Sequence, residues 1–232
     1  MKQKSLIFDA DNTLYKVNAK TAYEKQFSFI CDSFGFDRIA FKEEWKKIIK
    51  TVEFSTSLIK RSREYSFTRA INIALEKKKH HVEKNIIEDV VEKSLELFYE
   101  ELLKTGIEFD KKIPPMILKL KKRYNLFVAS DEYRKPLLKK LSFMFGNSDD
   151  YFDDIVSCQE AGCLKPSKKF YEYLIKKYKF DAKSMTMIGD DWRRDLEPAK
   201  QMGIVTVLVN AKKEGCPDIW MNEINQLMPD EL

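Results

Sequence analysis

The apolar residues of this chain follow two different rhythms. Between residues 17 and 105 they recur at helical spacing: Ala22, Phe27, Ile30 and Phe34, then Phe67, Ile71, Ala74 and Leu75, then Ile86, Val90, Leu97 and Leu102. Strand-like runs are nearly lacking there, and Gly35 and Gly106 stand where helices would stop. The pattern predicts a bundle of roughly four or five helices of ordinary length. Elsewhere short apolar runs alternate with amphipathic stretches. They predict strands at 5–8, 124–129, 154–157, 185–188 and 204–209, and helices at 112–123, 133–144, 166–178 and 193–202, with a last short helix over 219–227. Regular alternation of this kind predicts an α/β fold, a parallel sheet with helices on both faces and right-handed crossovers. The helical stretch falls between the first strand and the next, far longer than a usual connection. It is therefore expected to be a separate all-helical domain at 17–105, inserted into a core made of 1–16 and 106–232.

Composition narrows the possibilities. The 232 residues are 44% hydrophobic, enough for a full α/β core with one insertion. The net charge of +5 is a mild excess of 42 basic over 37 acidic residues. The basic runs Lys77–Lys79 and 119–123 lie on helical patterns and read as solvated faces, so no nucleic-acid partner is expected. A modest cationic excess does suit small anionic substrates. No apolar run is long enough to cross a bilayer, and the first strand follows the N-terminus with no room for a signal peptide. Cys31, Cys158, Cys163 and Cys216 are scattered, with no zinc-like spacing, and are read as reduced thiols of a cytoplasmic protein. The histidines, His80 and His81, sit in a lysine cluster, which argues against a histidine-based triad.

Candidate chemistry concentrates at strand ends, where open α/β sheets bind ligands. The run Ser5–Phe8 stops at Asp9-Ala10-Asp11-Asn12-Thr13-Leu14. Two carboxylates held this close need a cation or a proton between them. One could attack an electrophile, the other could give and take a proton, and Mg2+ could bind both through oxygen. A polar turn capping the next element is the plainer alternative. The strand 124–129 is followed by Ser130 and Asp131, Lys165 precedes Pro166, and the strand 185–188 runs into Gly189-Asp190-Asp191, with Asp195 further on.

In this order the motifs resemble those of the haloacid dehalogenase-like (HAD) superfamily of hydrolases: Asp9/Asp11/Thr13, Ser130, Lys165 and Gly189-Asp190…Asp195. The resemblance covers about residues 1–16 and 106–210 and implies a Rossmann-like core with a helical cap of the C1 type that gates the site. It implies that Asp9 is the nucleophile, forming an aspartyl-phosphate, and that Asp11 is the general acid/base, with its carbonyl on Mg2+. Asp190 would be the other metal ligand, Lys165 the clamp on the phosphoryl group and Asp9, and Ser130 a phosphoryl hydrogen-bond donor. Thr13, Gly189 and Asp195 would support the site. Asp131 replaces the more usual Asn at the phosphate side. An acid there must point away or pair with a cation, for which Lys165, Arg134 and Lys135 are the candidates. Asp191 reads equally as a metal ligand or a helix N-cap. Dehalogenases of the superfamily lack the second Asp, so Asp11 favours phosphate chemistry.

Within the helical stretch, Arg61, Arg63 and Tyr65 are candidate substrate contacts, with a solvated helix face as the alternative. Trp45 and Phe54 read as core. The resulting expectation is a Mg2+-dependent phosphatase acting on a small phosphorylated metabolite, as a monomer or homodimer. A sugar-phosphate mutase using the same nucleophile and a non-catalytic binding protein on this fold are the competing readings.

Overall fold

The computed structural model describes residues 4–52, 55 and 57–228. The first strand, Ser5–Phe8 (β1), is buried at every position, which is why its sequence is a continuous apolar run. Lys16–Val17 (β2) leads out of the sheet unit and Ile107–Glu108 (β3) leads back to it. Between them Asn18–Ile107 forms a unit of its own.

That unit is built from Lys20–Phe34 (α1), Arg38–Val52 (α2), Leu58–Arg61 (α3), Arg63–Lys77 (α4) and Lys84–Glu101 (α5), closed by a π-helical turn at Leu102–Gly106. Ser57 and Ser62 accept the backbone N–H groups of Lys60 and Tyr65, so each starts its own helix and the chain breaks between α3 and α4. The interior is aromatic: Trp45 packs on Phe27 and Phe67 at 5.2 and 5.3 Å between ring centroids and donates its indole N–H to Ser66 Oγ. Trp45 is thus a core residue, while Phe54 lies outside the described residues. Gly106 has no room for a side chain, since a Cβ there would stand 2.5 Å from the Asn18 carbonyl oxygen.

The sheet unit continues with Ile113–Lys121 (α6), Asn125–Ser130 (β4), Arg134–Phe145 (α7), Asp154–Ser157 (β5), Cys158–Ala161 (α8), Lys168–Tyr178 (α9) and Met185–Gly189 (β6). A π-helical turn at Trp192–Leu196, then Glu197–Gln201 (α10), Val205–Leu208 (β7) and Ile219–Trp220 (β8) complete it. The strands run parallel in the order β5-β4-β1-β6-β7-β8, the α/β, Rossmann-like sheet that the alternation predicts. Ile7, Phe127 and Met187 face one side, under Phe170, Tyr171 and Leu174 of α9. Phe8, one residue on from Ile7, meets the ring of Phe152 instead. Each such side chain contributes about 1.5–3 kcal/mol on burial, so β1 is a rigid base for the turn at its carboxyl end.

Three stretches differ from the sequence expectation. The predicted helix over 193–202 opens as a π turn. The helix predicted from residue 166 begins at Lys168, after a cis Lys165–Pro166 bond. The helix predicted over 219–227 is instead β8 followed by a 3₁₀ turn at Ile224–Gln226. The Asp218 carboxylate takes both the N–H and the hydroxyl of Thr206, at 2.9 and 2.8 Å, and this sets Ile219 in register beside Val207 on the open edge of β7. So short an apolar run fits a helix or a strand equally well, and the sheet edge decides.

Candidate active site

Because β4 and β6 flank β1, with Phe8 level with Val128 and Ile188, the residues just past these strands share one end of the sheet. Asp9 extends the ladder by one bond, donating its N–H to the Ile188 carbonyl at 2.8 Å, and its side chain is buried. The chain then turns sharply. Leu14 N–H returns to the Ala10 carbonyl at 2.9 Å, and Asn12 takes a left-handed backbone, φ 63°, which Asn tolerates. Asn210 fastens this turn from outside: its side-chain amide donates to the carbonyls of Asn12 and Thr13, both at 2.8 Å. Thr13 Oγ1 in turn lies 3.3 Å from Asp9 Oδ2 and 3.2 Å from Asp190 Oδ1, bridging the two strand ends.

Lys165 is buried among these acids. Its Nζ lies 2.5 Å from Asp9 Oδ1, 2.6 Å from Asp195 Oδ1 and 3.2 Å from the Ala129 carbonyl. Burial works against its charge, but Asp195 and Asp9 outweigh that and hold it firmly protonated. The π turn places Asp195. Tyr171 of α9 donates its hydroxyl to the Asp195 carbonyl at 2.6 Å, and Gly189 leaves the necessary space, since a Cβ there would sit 2.7 Å from Asp195 Oδ2. Burial, opposed by Lys165, raises the carboxyl pKa of Asp9 and of Asp195. Asp190 is pushed up to about 7, first by burial and then by the charge of Asp9.

Asp131 pairs with Arg194, a cation outside the three candidates, and its charge also acts on Lys165, which is one of them. Its Oδ2 pairs with Arg194 of the π turn, while its Oδ1 accepts the backbone N–H of Lys165 at 2.7 Å. Arg134 is engaged with Glu160 and the Ile155 carbonyl instead. Ser130 Oγ accepts the Glu132 N–H at 3.1 Å, a strand-end turn bond that leaves its own O–H to donate. Asp191 accepts the Arg194 N–H at 3.0 Å, which makes it the N-cap of the π turn.

Asp11 is not part of the Lys165 cluster. Both of its oxygens lie 2.6 Å from Nζ of Lys140, a lysine that motif reading misses. Lys140 is buried, and Glu132 Oε2 lies 3.1 Å from the same nitrogen. A signal was present in the sequence. The buried residues of α7 are Leu137, Lys140, Leu141, Met144 and Phe145, so Lys140 occupies a core position of an amphipathic stripe, where a lysine needs a buried partner.

Single carboxylate oxygens of Asp9, Asp190 and Asp195 lie within 4.8 Å of one another. Hard oxygen donors that crowd each other, with raised pKa values, fit a divalent cation. Of the expected set, Asp9 and Asp190 belong to this group together with Asp195, while Asp11, expected to reach a metal through its backbone carbonyl, has its carboxylate on Lys140. In the helical unit, Arg63 lies over the rings of Phe98 and Tyr99 and donates to the Tyr99 hydroxyl at 2.8 Å. Arg61, the last residue of α3, and Tyr65, in the first turn of α4, are partly exposed.

A parallel sheet with clustered acids and a buried lysine at the carboxyl ends of its central strands defines a hydrolase-type site on an α/β sheet. The family model for haloacid dehalogenase-like hydrolases matches residues 3–203, and the chain belongs to that family. It is 34% identical over 59 residues to a glyceraldehyde 3-phosphate phosphatase of Methanocaldococcus jannaschii, an alignment spanning 25% of this chain and 26% of that protein. It is 31% identical over 88 residues to the pyrimidine 5'-nucleotidase YjjG of Escherichia coli, spanning 34% of this chain and 39% of the other. Among solved structures, a 2-haloacid dehalogenase of Pseudomonas syringae superposes with a TM-score of 0.70 at 18% identity, over 96% of this chain and 95% of that one. At that identity the likeness establishes the fold alone. No helix among the described residues is long and apolar enough to cross a membrane.

Proposed function

We propose that the protein is a Mg2+-dependent phosphatase that hydrolyses a small phosphomonoester through an aspartyl-phosphate on Asp9. The observation that supports this reading is the separate pairing of two acids only two residues apart. Asp9 is buried on Lys165 among the metal-fitting acids, and Asp11 is held apart on Lys140. The two regional relatives, one named a phosphatase and one a nucleotidase, support phosphate esters as the substrate class.

In this reading an Asp9 oxygen attacks phosphorus, the Asp9–phosphorus bond forms, and the ester oxygen leaves with a proton from Asp11. Water then attacks the same phosphorus, Asp11 recovers the proton, and the Asp9–phosphorus bond breaks to release inorganic phosphate. Lys165 balances charge on Asp9 throughout, and Ser130 donates its O–H to a phosphoryl oxygen. Mg2+ held by Asp9 and Asp190, and backed by Asp195, supplies neutralisation of the phosphate charge when bound. Without a cation, the acids at this sheet end outnumber Lys165, Lys140 and Arg194 and would repel a phosphate dianion. Asp11 also separates this reading from dehalogenation, in which no leaving oxygen needs a proton. The helical unit is proposed as the cap that selects the substrate, with Arg61, Arg63 and Tyr65 as its contacts.

The test is phosphate release from nucleotides, sugar phosphates, phosphoglycolate and an aryl phosphate, with and without Mg2+. Release that requires Mg2+ and drops on the order of 10⁴-fold in Asp9→Asn is expected. Comparable release by Asp9→Asn, or none from any ester by wild type, sinks the reading.

A further inference from the structure

The lysine that motif reading misses has a geometry that goes beyond charge balance. Asp11 belongs to no regular element. It sits in the turn after β1 with its side chain 36% exposed, free in itself to change rotamer. Lys140 is only 1% exposed and is fixed in α7 between Leu137 and Leu141. Its nitrogen stands at 2.6 Å from each Asp11 oxygen, which fixes the rotation of the carboxylate as well as its place. Glu132 Oε2 at 3.1 Å and the Tyr15 ring, with its centroid at 5.8 Å, occupy further sides of the ammonium, so it has little freedom to follow a moving partner.

We propose that Lys140 is the positioning residue of the acid/base step. Acting through Asp11, it sets where and in which direction the carboxylate meets the leaving oxygen. It does not touch the phosphoryl group. The inference rests on the reading of Asp11 as proton donor and acceptor. Orientation of this kind matters kinetically because a displacement of about 1 Å costs on the order of 10²-fold in rate.

The experiment compares two substrates on one preparation. An alkyl phosphate has a poor leaving group that needs a proton, whereas p-nitrophenyl phosphate releases a stable anion that does not. Lys140→Met is expected to lower by about 30–100-fold the alkyl/aryl ratio of kcat/KM, which reports cleavage of the ester bond and not the hydrolysis step common to both substrates. Protein lost to misfolding lowers both rates alike and cancels in the ratio. A wild-type ratio in Lys140→Met, whether both rates fall or neither does, overturns the proposal. If that variant yields no soluble protein, Lys140→Arg decides. The longer planar guanidinium keeps the charge but shifts the carboxylate, and a fall of at least about 3-fold is expected. An unchanged ratio in Lys140→Arg overturns the proposal too. Asp11→Asn separates this inference from its premise. If Asp11→Asn collapses the ratio and Lys140→Met does not, only the role of Lys140 fails. If Asp11→Asn leaves the ratio intact, the acid/base reading of Asp11 itself fails.

Discussion

Two buried lysines organise one end of the sheet, and they invite comparison. Lys165 and Lys140 are 2% and 1% exposed, and each ammonium sits between two carboxylates: Asp9 and Asp195 for one, Asp11 and Glu132 for the other. Yet Lys165 stands on a loop beside acids that fit a metal, while Lys140 stands on a helix, facing a single acid of the catalytic turn. The nearly symmetric chemistry produces unlike environments because β1 ends at Phe8 and the following turn sends Asp9 and Asp11 in different directions. In the proposed reading, a sheet end thus holds a nucleophile and a proton carrier close in sequence without letting them neutralise each other's function.

Stability offers the coarsest way to break the comparison. Removing one partner of a buried ion pair leaves an uncompensated charge and costs about 3–5 kcal/mol. Lys165→Met and Lys140→Met should each lose that much in urea unfolding without metal. Added Mg2+ should recover part of the loss only for Lys165→Met, whose orphaned acids belong to the metal-fitting cluster. Equal recovery in both variants would remove the distinction between the clusters.

A smaller effect is expected at Asp131. Arg194→Ala removes the guanidinium from that acid beside the proposed phosphate site, so KM for a phosphomonoester should rise about 3–10-fold with kcat nearly kept. Asp131→Asn still accepts the Lys165 N–H and should change KM less. A larger effect from Asp131→Asn than from Arg194→Ala would show that the Arg194 pairing does not govern substrate approach.

The smallest effect is one of sign. Asp190 has its pKa raised from 3.8 to about 7 in the folded protein, so the folded state holds a proton that the unfolded chain releases near 3.8. Stability therefore falls as pH rises through that window, and the full penalty is present above about 7. Asp190→Asn should raise Tm by a few degrees at pH 8 without metal, by roughly the shift that 1 kcal/mol brings in a domain of this size. The gain should fade near pH 4. A gain that grows on acidification would contradict the electrostatic account of this cluster.

How much of this was legible in sequence depends on what kind of signal each residue leaves. Asp9, Ser130 and Asp190 are legible because they end or follow strands whose apolar runs are unmistakable, and strand ends converge in any parallel sheet, whereas Lys165 stands out only by preceding Pro166. The helical character of the inserted unit is legible through the period of its apolar residues, which marks α1, α4 and α5, while only the Ser57 and Ser62 caps show why α3 and α4 are separate. A lysine or arginine in a chain with 42 of them reads as surface; the apolar stripe of α7 is the sequence signal that marks Lys140, and only tertiary packing shows that Arg194 meets Asp131. The tail at 219–227 was misread because its fate rests on Asp218 meeting Thr206 across the sheet, a pairing with no local trace.

The side chain of Asn210 gives that tail an unexpected importance. Its amide nitrogen supports the backbone of Asn12 and Thr13, while its oxygen accepts the N–H of Ile224. One planar group of fixed size therefore joins the turn that follows β1 to a segment some two hundred positions later in the polypeptide, at its far side. A scan of random substitutions would accordingly find catalytic phenotypes around 210 and 224, in a stretch without a single reacting group. A designer trimming this protein to a minimal catalyst would cut away, as a dispensable appendage, the splint that keeps its most reactive loop in shape.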